Sequence, residues 1–380
     1  MLSYSLDLRG IGGKIKTKLE DFQVTELLNS GKPVPVPPSI FFTESQAGGL
    51  YVAGRLLRRG MDHSRMIRLI SKRFKVSEDH ISTAGVKDRR AIVVQLFSVY
   101  TPSKLENLPS VIELDEDLIL DSFHYRREKI FPGSMSGNEF KITIRNTQET
   151  LKDVDQLFEN GILNYYGYQR FGSSRPITAK FGRTLINSDY EEAVSIFIGH
   201  LGANDDRTFR VDYQNDVKPA EILNQTRPIP HLEYRILKHL AKHPKDFEGA
   251  VKSLPKVILN ISRSAFVSLL WNFYLSERGL NADVAKGERE ISNNIEIALP
   301  SRKWKKPLND IWEHVFEKMK VELSELKSIN HTSRNLRLIP KYFAAIMEDK
   351  NLKLKFLLDS GCYATTMLRE IMRTDPLNYF

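Results

Sequence analysis

Short runs in which hydrophobic and polar residues alternate characterise the first part of the chain. Phe22 and Val24 fit a short strand, and residues 91–100 and 141–145 are predicted to be strands as well. Between the first two runs, the proline-rich stretch KPVPVPPS at 32–39 predicts a stiff connection at the surface. The pattern therefore indicates strands in the first part of the chain.

Residues 49–75 are predicted to form two helices. The second helix is expected to begin at a cap residue, Asp62 or Ser64, whose side chain can accept a hydrogen bond from a backbone N–H of the first turn. Hydrophobic residues at helical spacing would then share one face of this helix: Met66, Ile67, Ile70 and Phe74.

The pattern changes after about residue 175. Long segments with helical periodicity follow, including 262–279, and strand-like sequence returns with LRLIP at 336–340 and LKLKFLL at 352–358. A final helix is predicted over ATTMLREIMRT. Strands, then mostly helices, then strands again favour an α+β fold in which a sheet domain is interrupted by an inserted helical domain. Two consecutive domains with a boundary near residue 180 fit the pattern as well.

The composition is that of an ordinary globular protein, with 41% hydrophobic and 27% charged residues among 380. This length allows about two domains with separate cores. The formal net charge of +9 fits a folded protein that binds a polyanion, although a merely basic protein would have the same charge. Neither a signal peptide nor a membrane-spanning segment is predicted, and a single cysteine, Cys362, allows no intrachain disulfide and no thiolate metal cluster. We therefore expect a cytoplasmic protein without membrane partners.

Basic residues are concentrated between Arg55 and Lys75, where Asp62 is the one acidic residue. The cations of this segment are Arg55, Arg58, Arg59, Arg65, Arg68, Lys72, Arg73 and Lys75. On two short helices they would form a surface that follows a phosphate backbone, with binding that weakens steeply as salt rises. The alternative is that their aliphatic stems cover hydrophobic surface while the charged groups remain in water.

Several common sites are excluded by the sequence. RGIGGKI at 9–15 has neither the spacing nor the hydroxyl of a phosphate-binding loop, and no serine occupies a G-x-S-x-G turn. His239 and His243 are four residues apart, as metal ligands on a helix can be, but Lys238 and Lys242 beside them would repel a cation. We therefore predict a solvated basic surface there and no metal site.

The most unusual local sequence is AGVKDRRAIVVQ, at 84–95. Asp88 lies between Lys87 and Arg89, after a glycine and shortly before a hydrophobic strand. Neighbouring cations favour the ionised carboxylate, which could act as a nucleophile or a base without a histidine. Lys87 and Arg89 could also hold a phosphate so that its sugar faces Asp88. A salt-bridged loop residue without a catalytic role would have the same local sequence.

A second distinctive string is NYYGYQRFG, at 164–172. It combines aromatic rings, an amide and Arg170 with two glycines that permit close approach of the backbone. RNA-binding sites use such groups to stack on and hydrogen-bond to unpaired nucleotides. A tight turn whose aromatic residues pack in the core explains the string equally well.

Five motifs, in order along almost the whole chain, resemble the TruD family of pseudouridine synthases. The first four are EDFQVTE (20–26), AGVKDRRAIVVQ, SGNEFKITIR (136–145) and NYYGYQRFG, which resemble the family's E-D-F-x-V-x-E, A-G-x-K-D-x-x-A, G-N-x-F and N-Y-F-G-x-Q-R-F-G. The fifth, LKFLLDSGCYATTMLRE (354–370), is similar to F-x-L-P-x-G-x-Y-A-T-x-x-x-R-E. SRPIT at 174–178 resembles the archaeal members. A single match would be weak, whereas five in order are specific.

The resemblance implies a pseudouridine-synthase catalytic domain with a mixed, largely antiparallel sheet, interrupted by an inserted, mainly helical α+β domain specific to TruD. The catalytic domain is expected to contain 1–172 and 334–380, and the inserted domain 173–333. The resemblance also implies isomerisation of uridine to pseudouridine in tRNA, usually at position 13, with neither a metal nor a cofactor. We expect the protein to act as a monomer.

Carried over residue by residue, the resemblance implies that Asp88 is the catalytic carboxylate and that Lys16 is the basic residue beside it. Lys14 and Lys18 are close enough in sequence to take the place of Lys16. The residues expected to bind the substrate, with Phe140 packed against the target base, are Asn138, Phe140, Phe356, Arg89 and Arg170.

The mechanism and two rival functions remain open at this point. Asp88 would either attack C1′ of the ribose or remove a ribose proton to give a glycal. A non-catalytic RNA-binding or RNA-chaperone protein on the same scaffold would bind RNA without isomerising it. A nucleosidase would use Asp88 to release free uracil.

Overall fold

The structure is a computed structural model of the chain. It describes residues 2–39, 41, 43–101, 107, 110–148, 158–172, 175–202, 208–225, 228–280, 283–292, 294–329 and 333–374. Ser174 of the SRPIT string lies outside these residues. The chain forms two compact units. One, the sheet unit, contains Leu6–Ile162 and Leu338–Phe380, and the other, the inserted unit, contains Met1–Ser5 and Leu163–Arg337.

A mixed sheet forms the centre of the sheet unit. Its strands are β1 (Phe22–Leu27), β2 (Tyr51–Arg59), β3 (Ile81–Thr83), β4 (Ile92–Tyr100), β5 (Val111–Asp115), β6 (Leu118–Arg126), β7 (Gly137–Ile144), β13 (Tyr342–Glu348) and β14 (Asn351–Asp359). Their order is β13–β14–β7–β1–β4–β2–β6–β5, with β3 also beside β4. Strands β1 and β4 are parallel, and the other neighbours are antiparallel. The predicted mixed, largely antiparallel sheet is confirmed.

The segment 51–59, which the sequence predicts to be a helix, is instead strand β2. It lies between β4 and β6 and pairs with both strands along most of its length. Both faces of a central strand are buried, so YVAGRLLRR shows no simple alternation, and its arginines imitate the polar face of a helix. The second predicted helix is confirmed as α1 (His63–Phe74), in which the Asp62 carboxylate accepts a hydrogen bond from the Arg65 N–H (2.9 Å).

One face of the sheet carries two separate hydrophobic cores. In the first core, hydrophobic residues of helix α1 pack with Leu56 and Phe97. In the second, helix α10 (Ala364–Met372) lies with Phe22 and Phe140. In the middle of the sheet, the neighbouring strands β7, β1 and β4 carry polar residues: Asn138, Glu26 and Gln95. The loop between β3 and β4 meets the sheet at this polar strip.

The first residue of β7 must be a glycine. A Cβ on Gly137 would lie 2.0 Å from the carbonyl oxygen of Leu358 on β14, so a larger residue would push the two strands apart. The next residues alternate across the sheet, which places Asn138 and Phe140 on the same face. The G-N-x-F segment thus combines a close backbone contact with two side chains that point in one direction.

The inserted unit is mainly helical. Its helices are α2 (Thr178–Ile186), α3 (Tyr190–Val194), α4 (Thr208–Gln214), α5 (Pro219–Leu223), α6 (His231–Lys242), α7 (Phe247–Lys252), α8 (Lys256–Arg278) and α9 (Asp310–Met319). A three-stranded sheet has the order β11–β10–β9, from β9 (Glu288–Ile291), β10 (Asn294–Ala298) and β11 (Ser333–Asn335). Two short strands, β8 (Ile162–Leu163) and β12 (Arg337–Leu338), pair with each other. The predicted α+β fold class is confirmed.

The NYYGYQRFG string lies in the inserted unit. The sequence predicts an inserted domain of residues 173–333, whereas the inserted unit contains 163–337 together with the first residues of the chain. Asn272 of α8 hydrogen-bonds to both the N–H and the carbonyl oxygen of Tyr166 (2.8 and 2.9 Å). The string is therefore attached to α8 through its backbone.

Candidate active site

Lys16 and Asp88 come together in the sheet unit. Asp88 lies in the loop between β3 and β4, and Lys16 lies in the segment that precedes β1. The Nζ atom of Lys16 is 3.2 Å from Oδ1 of Asp88; the lysine side chain is 2% exposed and the aspartate side chain 24%. Of the three lysines that the sequence leaves open, the structure pairs Lys16 with Asp88.

The ammonium group of Lys16 lies between a carboxylate and an aromatic face. Its Nζ is 4.3 Å from the centre of the Phe22 ring, on the side of the sheet that also carries Phe140. Burial lowers the pKa of Lys16, and the negative charge of Asp88 acts in the opposite direction. Buried charges require such partners, because an isolated one loses its hydration without compensation. The lysine is therefore suited to fixing the position of the carboxylate.

Asp21 and Arg145 hold the segment that carries Lys16. Asp21 is almost completely buried. It accepts hydrogen bonds from the Arg145 side chain (2.6 and 2.9 Å) and from the N–H of Lys18 (2.8 Å). Lys16 itself has a left-handed backbone, with φ 56°, which is unfavourable for a residue with a side chain. The Asp21–Arg145 pair thus keeps a strained turn in place, and the sequence alone indicates Asp21 only as a motif residue.

Lys87, the residue before Asp88, is held both by its side chain and by its backbone carbonyl oxygen. Its Nζ is 2.7 Å from Oε1 of Glu26, which is completely buried on β1. Its carbonyl oxygen accepts a hydrogen bond from Nη2 of Arg58 on β2 (2.8 Å). Burial lowers the pKa of Arg58 to about 10, against the opposing effect of Asp88, so that the guanidinium remains charged at neutral pH. Sequence reasoning missed the roles of Glu26 and Arg58.

Stacked aromatic rings form a wall in the same region. The rings of Phe140 and Phe356 are 5.4 Å apart and nearly parallel (26°). Phe22 contacts Phe140 edge-on, and Phe343 stacks behind Phe356. Phe140 is 7% exposed and Phe356 is 0% exposed. Both predicted substrate-binding rings are thus buried, and Phe140 keeps slightly more exposed surface than Phe356, on which it stacks.

Two amide side chains of the polar strip carry unsatisfied acceptors. Oδ1 of Asn138 and Oε1 of Gln95 are buried and have no hydrogen-bond partner among the residues that the structure describes. Leaving a buried acceptor unpaired costs free energy, so such groups generally have a reason to be there. Binding of a ligand with a suitably placed N–H donor is one such reason.

His63, the first residue of α1, adds an uncharged imidazole near Lys87 and Arg58. Burial lowers the pKa of His63 from 6.5 to about 4, and the positive charges of Arg58 and Lys87 contribute to the shift. Its Nδ1 atom is buried without a partner among the described residues. At neutral pH this ring is therefore neutral.

The other two predicted substrate-binding residues belong to different units: Arg89 to the sheet unit and Arg170 to the inserted unit. Arg89 follows Asp88 and is exposed. Arg170 belongs to the inserted unit, where its guanidinium donates hydrogen bonds to Ser268 and Ser264 of α8. Arg170 is thus anchored to α8, and Arg89 is accessible to solvent beside the carboxylate.

The predicted basic surface is smaller than the sequence indicates. Arg55 and Arg58, assigned to a solvated helix, are buried on β2. On β2, Arg59 keeps a partly exposed side chain (43%) that is paired with Glu20. The more exposed cations of this segment lie on α1 or directly after it: Arg65, Arg68, Lys72, Arg73 and Lys75. The basic surface is smaller because segment 51–59 is a central strand, which buries both of its faces, and not a helix.

Among the described residues, one group of acidic side chains is close enough together to share a metal ion: Asp115, Glu116 and Asp117. It lies in the turn between β5 and β6, and Asp115 is paired with Arg65 (2.6 Å). His239 shares a hydrogen bond with Asp246 (2.7 Å) on the inserted unit. No helix in the described part of the chain is long and hydrophobic enough to cross a membrane.

Comparisons with known proteins agree with the motif series. The sequence model of the family described as tRNA pseudouridine synthase D (TruD) matches residues 1–296. A probable tRNA pseudouridine synthase D from Methanosarcina barkeri is 28% identical, over 98% of this chain and 96% of its own. Similar proteins from Pyrococcus furiosus and Methanopyrus kandleri are 29% and 30% identical, over 98% and 83% of each chain.

A solved structure shares the fold. The crystal structure described as that of the putative tRNA pseudouridine synthase D (TruD) from Methanosarcina mazei matches with a TM-score of 0.69 and 24% identity, over 100% of this chain and 97% of that one. This likeness, together with the sequence matches, confirms the predicted family, fold class and enzyme class. The chain belongs to the TruD family of tRNA pseudouridine synthases.

Proposed function

We propose that this chain isomerises uridine to pseudouridine in tRNA, with Asp88 as the catalytic carboxylate. The observation that carries the proposal is the ion pair between Lys16 and Asp88 (3.2 Å), in which a buried ammonium holds a carboxylate that remains partly exposed. A carboxylate fixed in this way keeps one orientation and can still meet a substrate that enters from solvent.

The reaction would break the N1–C1′ bond of uridine, turn the detached uracil and join its C5 to C1′. C5 loses a proton and N1 ends with one, so that no atom or electron is gained or lost. We therefore propose that neither a metal nor a cofactor takes part. Asp88 would either attack C1′ to give a covalent intermediate or remove a ribose proton to give a glycal. In both routes Lys16 would keep the carboxylate directed at the ribose.

Phe140 and Asn138 would hold the uracil while it is detached. The Phe140 ring, supported by Phe356, offers a flat wall on which a base can stack. The Oδ1 atom of Asn138, unpaired among the described residues, could accept a hydrogen bond from N3–H of uracil. Cytosine has no hydrogen on N3 at neutral pH and would leave this acceptor unsatisfied. The pair would thus provide both retention of the base and preference for uracil.

The proposal of tRNA as the substrate comes from the names of the similar proteins, and position 13 from the family resemblance. A uridine in folded RNA must be unstacked before it can reach a carboxylate, at a cost of a few kcal/mol. Contacts between basic residues and phosphates would offset this cost. Arg89, exposed beside Asp88, would contact a phosphate near the target, and Arg170 would contact RNA at the inserted unit.

Tritium at C5 of uridine provides the test, because the label is lost when C5 bonds to C1′. The wild type should release tritium from labelled tRNA, and Asp88→Asn should release it at least about 10³-fold more slowly with unchanged RNA binding. Asp79→Asn, which changes an exposed carboxylate elsewhere, should keep the wild-type rate.

Release by Asp88→Asn within about tenfold of the wild type would remove Asp88 from the catalytic role. A wild type that binds tRNA without releasing tritium would instead indicate the non-catalytic RNA-binding alternative. Appearance of free uracil would indicate a nucleosidase.

A further inference from the structure

Glu26 and Lys87 belong to two of the family-like motifs, yet neither has a part in the chemistry proposed above. We propose that Lys87 is a positioning residue, clamped by Glu26 at its side chain and by Arg58 at its carbonyl oxygen, and that this clamp sets the position of Asp88. The inference rests on the proposed function, since it concerns the same carboxylate.

The side-chain end of the clamp is a buried ion pair. The Glu26 and Lys87 side chains are 1% and 13% exposed, with 2.7 Å between Oε1 and Nζ. The second carboxylate oxygen of Glu26 accepts a hydrogen bond from the N–H of Leu96 on β4 (2.9 Å), which fixes the carboxylate against the sheet. Desolvation makes buried ion pairs weak contributors to stability, so a pair at this place is better explained by the position that it defines.

The backbone end of the clamp acts one peptide bond away from Asp88. Nη2 of Arg58 donates to the carbonyl oxygen of Lys87 (2.8 Å), and this oxygen belongs to the same planar peptide group as the nitrogen of Asp88. A fixed carbonyl oxygen therefore fixes the orientation of the peptide plane between Lys87 and Asp88. Arg58 is itself immobilised, because it is fully buried and its Nη1 donates to the carbonyl oxygen of Met61.

The loop needs this restraint because it has little structure of its own. Residues 84–90 form neither helix nor strand, and Gly85 has a φ of 152°, a conformation with few steric limits for glycine. The contact with Lys16 acts on the end of the Asp88 side chain, whereas the clamp acts on the backbone that precedes it. Loss of the clamp would remove this backbone restraint, and misplacement by about 1 Å is enough to cost about 100-fold in rate.

Substitutions at Lys87 and Glu26 test the clamp. In Lys87→Met the ammonium is lost and much of the stem is kept, so kcat for tritium release should fall about 100-fold, while KM changes less than about threefold. Lys87→Arg, which restores a cation, should recover most of kcat. Glu26→Gln should lower kcat as well. The double variant should be no slower than the slower single variant, because the two residues act as one unit.

An exposed pair of the same residue types serves as the control. Lys353 and Glu348, on β14 and β13, are paired at 2.5 Å with side chains that are 53% exposed. Lys353→Met and Glu348→Gln should leave kcat unchanged. Wild-type release of tritium and its loss in Asp88→Asn are measured in the same series, so that a failure of the clamp is distinguished from a failure of the proposed function.

Two results would overturn the clamp. In the first, Lys87→Met has a lower free energy of unfolding while the folded fraction keeps the wild-type kcat, which would make the ion pair purely structural. In the second, KM rises and kcat stays constant, which would make Lys87 a contact for RNA phosphate. If Lys87→Met fails to fold, Glu26→Gln provides the same readout, because it breaks the same ion pair from the other side.

Discussion

Strand β2 and helix α1 are consecutive in the sequence and both rich in arginine, yet their charges have opposite environments. Arg55 and Arg58 of β2 are 2% and 0% exposed. The side chains of Arg65 and Arg68 on α1 are 56% and 63% exposed. Strand β2 has a neighbour on either side and cores on both faces, whereas α1 buries only one of its faces. Basic content by itself therefore does not identify a surface for RNA.

Alternation along β2 places Arg55 and Arg58 on opposite faces of the sheet. Arg55 forms a two-pronged ion pair with Asp121 on β6 (2.5 and 2.7 Å). It also donates to the carbonyl oxygens of Pro35 and Ser39, in the proline-rich stretch. Arg58, on the other face, holds the loop between β3 and β4. Each buried guanidinium thus fixes a segment that lacks regular secondary structure, a use of arginine that its five rigid donors permit.

The largest effect on stability is expected at Arg55. Arg55→Met leaves the Asp121 carboxylate and two carbonyl oxygens without their donors, and should lower the free energy of unfolding by about 3–5 kcal/mol. Arg65→Met on α1 removes an ion pair of similar length, to Asp115 (2.6 Å), but an exposed one. This change should cost about 0–1 kcal/mol. Chemical denaturation of both variants measures the difference, and equal losses would contradict the division between β2 and α1.

A smaller effect, dependent on pH, is expected at His63, where β2 and α1 meet. The pKa of His63 is lowered from 6.5 to about 4, chiefly by burial. Between these values the unfolded chain binds a proton that the folded chain does not, so stability falls as pH decreases. The loss should be about 2 kcal/mol between pH 7 and pH 5.

The free energy of unfolding of the wild type and of His63→Gln, measured at both pH values, isolates this contribution. Other groups titrate in both proteins and cancel in the comparison. The wild type should lose more stability than His63→Gln on going to pH 5. Identical losses would mean that His63 is accessible to solvent when folded, and that the burial near Arg58 and Lys87 is not maintained in solution.

Sequence patterns predicted the elements that have a visible period. Strands β1, β4, β7 and β14 and helices α1, α8 and α10 were all indicated by alternation or helical spacing. The helix prediction for the β2 segment is wrong. A strand has the composition of an amphipathic helix when both of its faces are buried and its arginines have internal partners. The partners that make those arginines tolerable are distant in sequence and leave no local signal.

The candidate site shows the same limit. The motifs indicated Lys16 and Asp88, which the structure brings to 3.2 Å. They also contain Glu26 and Lys87, but the contact between them joins positions 61 residues apart, which spacing does not reveal. Motif membership likewise does not predict how deeply each ring is buried. Phe356 has the same motif status as Phe140 and no exposed surface.

The smallest predicted effect concerns the exposed cations of α1. Lys72 and Arg73 lie in its last turn, and the structure pairs neither with a carboxylate among the described residues, in contrast to Arg65 and Arg68. If this end of the helix binds RNA, Lys72→Gln/Arg73→Gln should weaken tRNA binding about 3- to 10-fold near 0.1 M salt. The slope of log affinity against log salt should fall by about 1 for each phosphate that the variant no longer neutralises.

The kcat for tritium release should stay the same, because Lys72 and Arg73 are exposed in the last turn of α1 and have no part in the proposed chemistry. Lys353→Gln, which removes a charge already paired with Glu348, provides the control for a general effect of net charge. If the double variant binds tRNA as tightly as this control at every salt concentration, the α1 cations are solvated groups whose stems cover hydrophobic surface. The cations of α1 would then differ from the arginines of β2 in burial alone, and RNA binding would not be a role of α1.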